Sequence, residues 1–218
     1  MFVAIDVETT GLDPASDRII EVAAVKFRGR ETLEEFSSLV NPEREIPAFV
    51  AGLTGITQAE TDAAPRFAEI APKLSDVLGA NPVVGHNVSF DAGFFRSHGV
   101  PVRGAAYDTY DLAFVLLTDQ NEYGLEQLAA RFELRQGRAH RALSDALATR
   151  DLFLLLHERL LRLDPAVLDR LQGLSPSADW PVGALARHAL AATPDWRVAS
   201  SAGPLGLDIA AVARRARP

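Results

Sequence analysis

Three apolar runs crowd into the first forty residues, and that crowding limits the fold more than any other feature. "FVAIDVE" and "RIIEVAAVKFRG" are separated by a turn-forming stretch containing "DPASD", and "ETLEEFSSLV" follows directly across Arg28-Gly29-Arg30. Runs rich in β-branched and aromatic residues, bounded by Gly, Pro and Asp, read as strands. A parallel neighbour needs a crossover of about a dozen residues or more, and neither connection has room for a helix. The chain therefore opens as an antiparallel meander.

The pattern then changes period. "NPEREIPAFVAGLTGIT" reads as a loop with at most one helical turn. In "APRFAEIAPKLSDVLG", Phe67, Ile70, Ala71, Leu74, Val77 and Leu78 fall at helical spacing, closed by Gly79. "NPVVGHN" is a short buried strand. "SFDAGFFRSHG" is a helix capped by Ser89 and ended by Gly99. "AAYDT" makes a fifth strand, "DLAFVLL" and "GLEQLAARF" are helices, and the loop "RQGRAH" leads into a long helix, "RALSDALATRDLFLLLHERLLRL". A meander beside parallel strands with crossover helices gives an α/β fold: a five-stranded mixed sheet flanked by helices.

Composition shifts near Asp164, so the chain divides into residues 1–163 and a Pro/Gly/Ala-rich extension, 164–218. The extension carries six arginines against four aspartates from Pro165 onward, which leaves about −9 for the part before it, the whole being −7. "DPAVLDRLQGL", "PVGALARHALAA" and "LDIAAVARRA" are each short enough for one helix, making this a small, mostly helical docking segment or linker. The extension is expected to be dispensable for catalysis on a free oligonucleotide.

The chain has 218 residues, 48% of them hydrophobic, and no cysteine. That excludes disulfides, thiolate metal sites and a cysteine nucleophile. A basic leader is absent and the longest apolar runs are too short for a bilayer, so a cytoplasmic protein with no membrane partner is expected. Net charge −7 argues against a broad electrostatic grip on nucleic acid. It does not exclude an enzyme holding only a strand end at a metal-loaded acidic site.

Three acidic clusters carry the chemistry. Asp6 and Glu8 are two apart on a strand and share a face. Two carboxylates on a buried face repel and lose hydration, costs that a divalent cation removes. Alone, the pair is better read as a strand that ends at Asp6 with both groups solvated. Asp91, in "VVGHNVSFDAGFF", sits just inside a helix N-terminus at the end of a buried strand, where sites form in α/β sheets; a lone aspartate there also suits the helix dipole. His140 precedes the long helix and Asp145 lies on it; five residues turn a helix by about 500°, so the two share no stripe. His140 must lean in from the loop or first turn. Together, four carboxylates and one histidine match what a two-metal phosphodiesterase needs. All-oxygen ligands favour Mg²⁺ or Mn²⁺ over Zn²⁺. A histidine can take a water's proton near neutral pH.

These residues resemble the three exonuclease motifs of the DnaQ-like, DEDDh 3′→5′ exonucleases, the group that includes proofreading epsilon subunits of bacterial DNA polymerase III. The resemblance rests on Asp6-x-Glu8-Thr9-Thr10-Gly11, on "HNVSFDAGFF" with Asp91, and on His140-x-Ala142-x-x-Asp145. It runs from Phe2 to about Leu160. Arg141 stands where a tyrosine subclass has its base, so the histidine subclass fits. The resemblance implies a ribonuclease H-like fold, two metals held by Asp6, Glu8, Asp91 and Asp145, and His140 as general base on a mobile loop bearing Gly137. It implies that Thr9, Thr10 and Gly11 line the pocket for the 3′-terminal nucleotide through backbone and hydroxyl groups. Ile56 is then a candidate wedge between the last two bases. Phe90 is a candidate pocket wall or a core residue, and Asn87 a substrate contact or a turn cap. Glu21, inside an apolar strand, is common in similar proteins, and the sequence assigns it no role.

The function that follows is metal-dependent 3′→5′ hydrolysis at single-stranded or frayed DNA 3′ ends, releasing nucleoside 5′-monophosphates, in proofreading or repair. A polymerase subunit or a helicase-related protein is the expected partner; the spelling "HRALSDALAT" and the "SPSADWPVGAL" tail look like exonuclease regions of helicase-fused relatives. The motifs leave open a 3′→5′ exoribonuclease, and a noncatalytic nucleic-acid-binding or assembly module is the rival of another class.

Overall fold

The structure, a computed structural model, describes residues 1–134, 137–173 and 182–191. Strands β1 (Phe2–Thr9), β2 (Ile19–Arg28) and β3 (Glu31–Leu39) form the expected antiparallel meander. β4 (Val83–Gly85) and β5 (Ala106–Asp108) add parallel to β1, giving the order β3-β2-β1-β4-β5. β2 is buried along almost its whole length, which is why its sequence is a continuous apolar run. β3, at the sheet edge, alternates in exposure and carries Glu31, Glu34 and Glu35, charges that discourage edge-to-edge pairing.

Period-two alternation sorts the strands onto two cores. Val3, Ile5, Val7, Val22 and Ala24 face α3 (Phe67–Leu78) and α4 (Val88–Ser97), meeting Leu74, Val77, Phe94 and Phe95. Ala4, Ala23, Val25 and Phe27 face the other way, toward α5 (Thr109–Leu116), α6 (Leu125–Arg131) and the long α7 (Ala142–Leu161), meeting Leu152, Phe153 and Leu156. Asp6 and Glu8 continue the Ala4 register, so they end the strand on the α7 side.

Two local expectations are corrected. The stretch after β3 holds two helices, α1 (Ala48–Thr54) and α2 (Gln58–Asp62), where at most one turn was expected. α1 closes on Gly55 with φ +67°, and α2 opens on a Thr57/Glu60 capping box. Ser89 does not cap α4. The helix begins at Val88 behind Asn87, which has φ +65°, and the Asp108 carboxylate accepts the Asn87 and Val88 N–H groups at 3.0 Å each. Asp108 also accepts the Tyr110 N–H at 2.8 Å, so one side chain at the end of β5 anchors both α4 and α5. Gly85 permits this junction, because a Cβ there would press on the Val88 backbone.

In the extension, α8 (Pro165–Gly173) and α9 (Val182–Ala191) match the first two helices read; "LDIAAVARRA" lies outside the described residues. Leu168, Leu171, Val182, Leu185, Ala186 and Ala189 are buried in the same core as Leu156 and Leu160. The expectation that residues 164–218 are dispensable must meet this packing. A chain ending at Leu163 is expected to melt about 5–15 °C lower by circular dichroism, as loss of a few buried leucine-sized side chains implies. Below that melting point it should still hydrolyse an oligonucleotide. An unchanged melting temperature would show that α8 and α9 add nothing to the core. Among the described residues, no helix is long and apolar enough to cross a membrane.

Candidate active site

β1 brings Asp6 and Glu8 to its C-terminal end, α4 supplies Asp91 from its first turn, and α7 supplies Asp145 from its first turn. Each helical carboxylate is held by a backbone donor. The Val7 N–H donates to Asp91 Oδ1 at 3.0 Å, tying α4 to β1 between the two strand carboxylates. The His140 N–H donates to Asp145 Oδ2 at 3.0 Å. His140 lies outside the helix, as its spacing from Asp145 requires, and adopts φ +58°, the left-handed region that His visits more readily than most residues. Donor atoms of Glu8, His140 and Asp145 all lie within 4.8 Å of one another. All five residues line one cleft of about 620 Å³.

The electrostatics show what the cleft is built for. Burial, then the charges of Asp91, Asp145, Glu8 and Glu21, hold the Asp6 carboxyl well above the usual carboxylate range. Burial, followed by Asp145 and Glu21, pushes Glu8 up to about 8, with Arg141 pulling the other way. Burial raises Asp91 against the backbone N–H groups that favour its charge, and raises Asp145 against the charge and N–H of His140. Acids crowded and desolvated like this fit a multivalent cation, and the oxygen-rich donor set suits a hard one.

A pH dependence follows. The folded-state value of Glu8 lies above its unfolded value near 4.5, so its contribution to stability is fully present below that value. It is lost as pH rises toward about 8. The metal-free protein should therefore lose thermal stability across that window, and Mn²⁺ should cancel the loss. Mn²⁺ binding at pH 7 should also expel protons, measurable by calorimetry in buffers of different ionisation enthalpy. Binding without proton release would mean that these carboxyls are already ionised.

The other expected contacts divide. Asn87 and Phe90 line the cleft; Phe90 also packs on Phe94, with ring centroids 4.9 Å apart. Asn87 makes no side-chain cap bond. The Thr9 and Thr10 hydroxyls also bond within the turn after β1. Thr9 Oγ1 donates to the Gly11 carbonyl at 2.6 Å; Thr10 Oγ1 donates to Asp17 at 3.2 Å and accepts the Arg18 N–H at 3.0 Å. A Cβ at Gly11 would press on the Asp17 carboxylate, which would have to shift. Ile56 is not a free wedge: it is 2% exposed and packs with Ile20 and Val50, since Gly55 turns it back under α1.

Sequence reasoning missed three features. Leu12, 83% exposed, lines the cleft just beyond the Thr-Thr-Gly turn. Glu126, at the start of α6, adds an acid to the cleft wall. Glu21 is bonded to Arg141. Leu12 has a sequence signal, an apolar residue stranded in a turn; for the others, separation along the chain hides the contact.

Fold and cleft together define a nuclease of the ribonuclease H-like class. The chain belongs to the exonuclease family: the RNase_T family, described as Exonuclease, matches residues 3–153. It is 37% identical over 163 residues to a DNA polymerase III PolC-type protein of Caldanaerobacter subterraneus subsp. tengcongensis, covering 73% of this chain and 12% of that one. The chain thus spans about an eighth of that relative. It is 35% identical over 164 residues to DNA polymerase III subunit epsilon of Aquifex aeolicus, covering 73% of this chain and 81% of that one. Among solved structures, Exonuclease X in complex with 5′ overhanging duplex DNA matches with a TM-score of 0.61 at 28% identity, covering 72% of this chain and 92% of that one. The resemblance read from the motifs and the expected mixed sheet are both borne out.

Proposed function

We propose that this chain is a two-metal 3′→5′ exodeoxyribonuclease that removes nucleoside 5′-monophosphates from single-stranded or frayed DNA ends. The observation that carries it is the convergence of Asp6, Glu8, Asp91, Asp145 and His140 on one cleft. The four carboxylates would hold two Mg²⁺ or Mn²⁺ ions, whose chemistry is to activate a water and stabilise the leaving 3′-oxygen. His140 takes the proton of the attacking water, its imidazole aimed from the loop side of α7. Leu12 and Phe90 present apolar surface for the terminal nucleoside and exclude solvent from its sugar. A terminal base must leave its duplex to enter so recessed a site, so frayed and unpaired ends are preferred.

A DNA polymerase is the partner class, in keeping with the names of the PolC-type and epsilon relatives, and the cytoplasm is the location. The test is a 5′-labelled single-stranded DNA oligonucleotide with Mg²⁺, Mn²⁺ or EDTA, beside the matched RNA. The expected result is a metal-dependent ladder shortening from the 3′ end, faster on DNA. Equal or faster shortening of RNA would reassign the substrate; no shortening of either would overturn the enzymatic reading.

A further inference from the structure

Behind the cleft, in the strand ladder, lies a buried carboxylate that the chemistry of the site does not call for. Glu21 stands directly opposite Glu8 in the β1–β2 ladder, where facing Cβ atoms lie about 5 Å apart and like charges destabilise. It is only 3% exposed. Its charge is met from one direction. Arg141 donates Nη2–H to Oε1 at 2.7 Å and Nε–H to both oxygens at 3.1 and 3.2 Å. The Ala142 N–H donates to Oε2 at 2.9 Å.

We propose that Glu21 and Arg141 form a neutral brace that keeps this buried carboxylate out of the charge balance of the site and fixes the backbone that carries His140. The proposal rests on reading the cleft as a divalent-cation centre. The four ligand carboxylates already balance two divalent cations, so an ionised Glu21 without a partner would overshoot, and an Arg141 without Glu21 would repel the metals.

The positioning half of the argument is geometric. Arg141 is the N-cap residue of α7 and makes no side-chain cap bond of its own. Glu21 takes over that duty from another strand, accepting the first N–H of the helix and placing a negative charge at its positive end. The chain is thus held at His140 and just after it: its own N–H is bonded to Asp145, and the next two residues are bonded to Glu21. A left-handed backbone at a non-glycine residue persists only where its surroundings over-determine it, as these bonds do. The fork geometry needs arginine; lysine carries the charge without the two directed donors. Glu21 and Arg141 are positioning residues, since neither is placed on the reacting atoms.

The test measures Mn²⁺ affinity by calorimetry at pH 8 in wild type, Glu21→Gln, Arg141→Gln and the double variant, with kcat and KM on the oligonucleotide. Glu21→Gln should weaken Mn²⁺ binding about tenfold, as expected for a unit positive charge left without its partner beside the site. Arg141→Gln should shift it the other way, and the double variant should return to within about twofold of wild type. Arg141→Lys should keep the affinity and lose about tenfold in kcat at unchanged KM. A purely structural pair would weaken Mn²⁺ binding in both single variants alike, and that outcome, or no change in either, overturns the proposal. Should a glutamine variant fail to fold, Arg141→Lys decides: full kcat would remove the positioning role. Wild-type protein that binds no Mn²⁺ would overturn the metal-centre reading and this proposal with it, an outcome distinct from wild-type binding that the variants leave unshifted.

Discussion

Asp6→Asn should lower metal-dependent hydrolysis by about a thousandfold or more and, without metal, make the protein melt higher. The loss follows from the position of Asp6: it lines the cleft with Glu8, Asp91 and Asp145, whose charges act on its carboxyl, and the proposed function makes it a metal ligand. Metal stabilisation of a phosphoryl transition state is worth several kcal/mol, and each ~1.4 kcal/mol is tenfold in rate. The gain has the same origin. A desolvated carboxyl facing three others favours the folded state only while it keeps its proton, so an ionised Asp6 works against folding. Asparagine keeps the shape and removes the charge, a substitution of the kind that commonly adds about 0.5–2 kcal/mol. For a chain of this size that is a rise of about 2–6 °C at pH 8 in EDTA. Mn²⁺, which should raise the wild-type melting temperature, should leave the variant almost unmoved. Intact hydrolysis in Asp6→Asn would place the catalytic centre elsewhere, and a lower melting temperature in EDTA would show that the carboxylate holds the fold together.

Much of this site is legible in the amino-acid sequence, for identifiable reasons. The i, i+2 spacing of Asp6 and Glu8 fixes their common face, and the apolar run around them fixes a buried strand. The connections at Arg28-Gly29-Arg30 and "DPASD" are too short for anything but a meander. What stays hidden is whatever depends on a partner distant in sequence. Nothing near Ser89 reveals that Asp108 satisfies the start of α4 in its place. Nothing near Glu21 points 120 residues ahead to Arg141. The helices α1 and α2 escape because Pro47, Gly55 and a few apolar residues give no periodicity over so few turns. Thr9 and Thr10 look free in a motif, yet each hydroxyl donates a bond within the turn after β1. Ile56 looks exposed in a loop-like string, yet it is core because α1 folds over it. Side-chain type and spacing disclose which groups can do chemistry; they do not disclose which are already bonded.

His140 is the residue on which the two halves of the site meet, and its geometry admits two assignments with different consequences. It lies within 4.8 Å of donor atoms on Glu8 and Asp145, close enough to join them around one cation. As a general base it would instead face the water between cation and phosphorus. The base assignment is favoured by its place ahead of α7: the backbone is held, with φ +58° and the N–H bond to Asp145, which leaves the side-chain torsions to turn the ring toward a substrate. His140→Ala should then lower kcat by about 10²–10⁴-fold, the usual contribution of a positioned proton acceptor. Calorimetric Mn²⁺ affinity should stay within about threefold of wild type. A ligand behaves otherwise: Mn²⁺ affinity would fall in step with kcat, and excess metal would restore the rate. His140→Asn separates the backbone from the ring, because asparagine also tolerates the left-handed region. If His140→Asn matches His140→Ala in kcat, the imidazole is what matters; if it recovers most of the rate, the strained backbone does, and the proton must leave by another path.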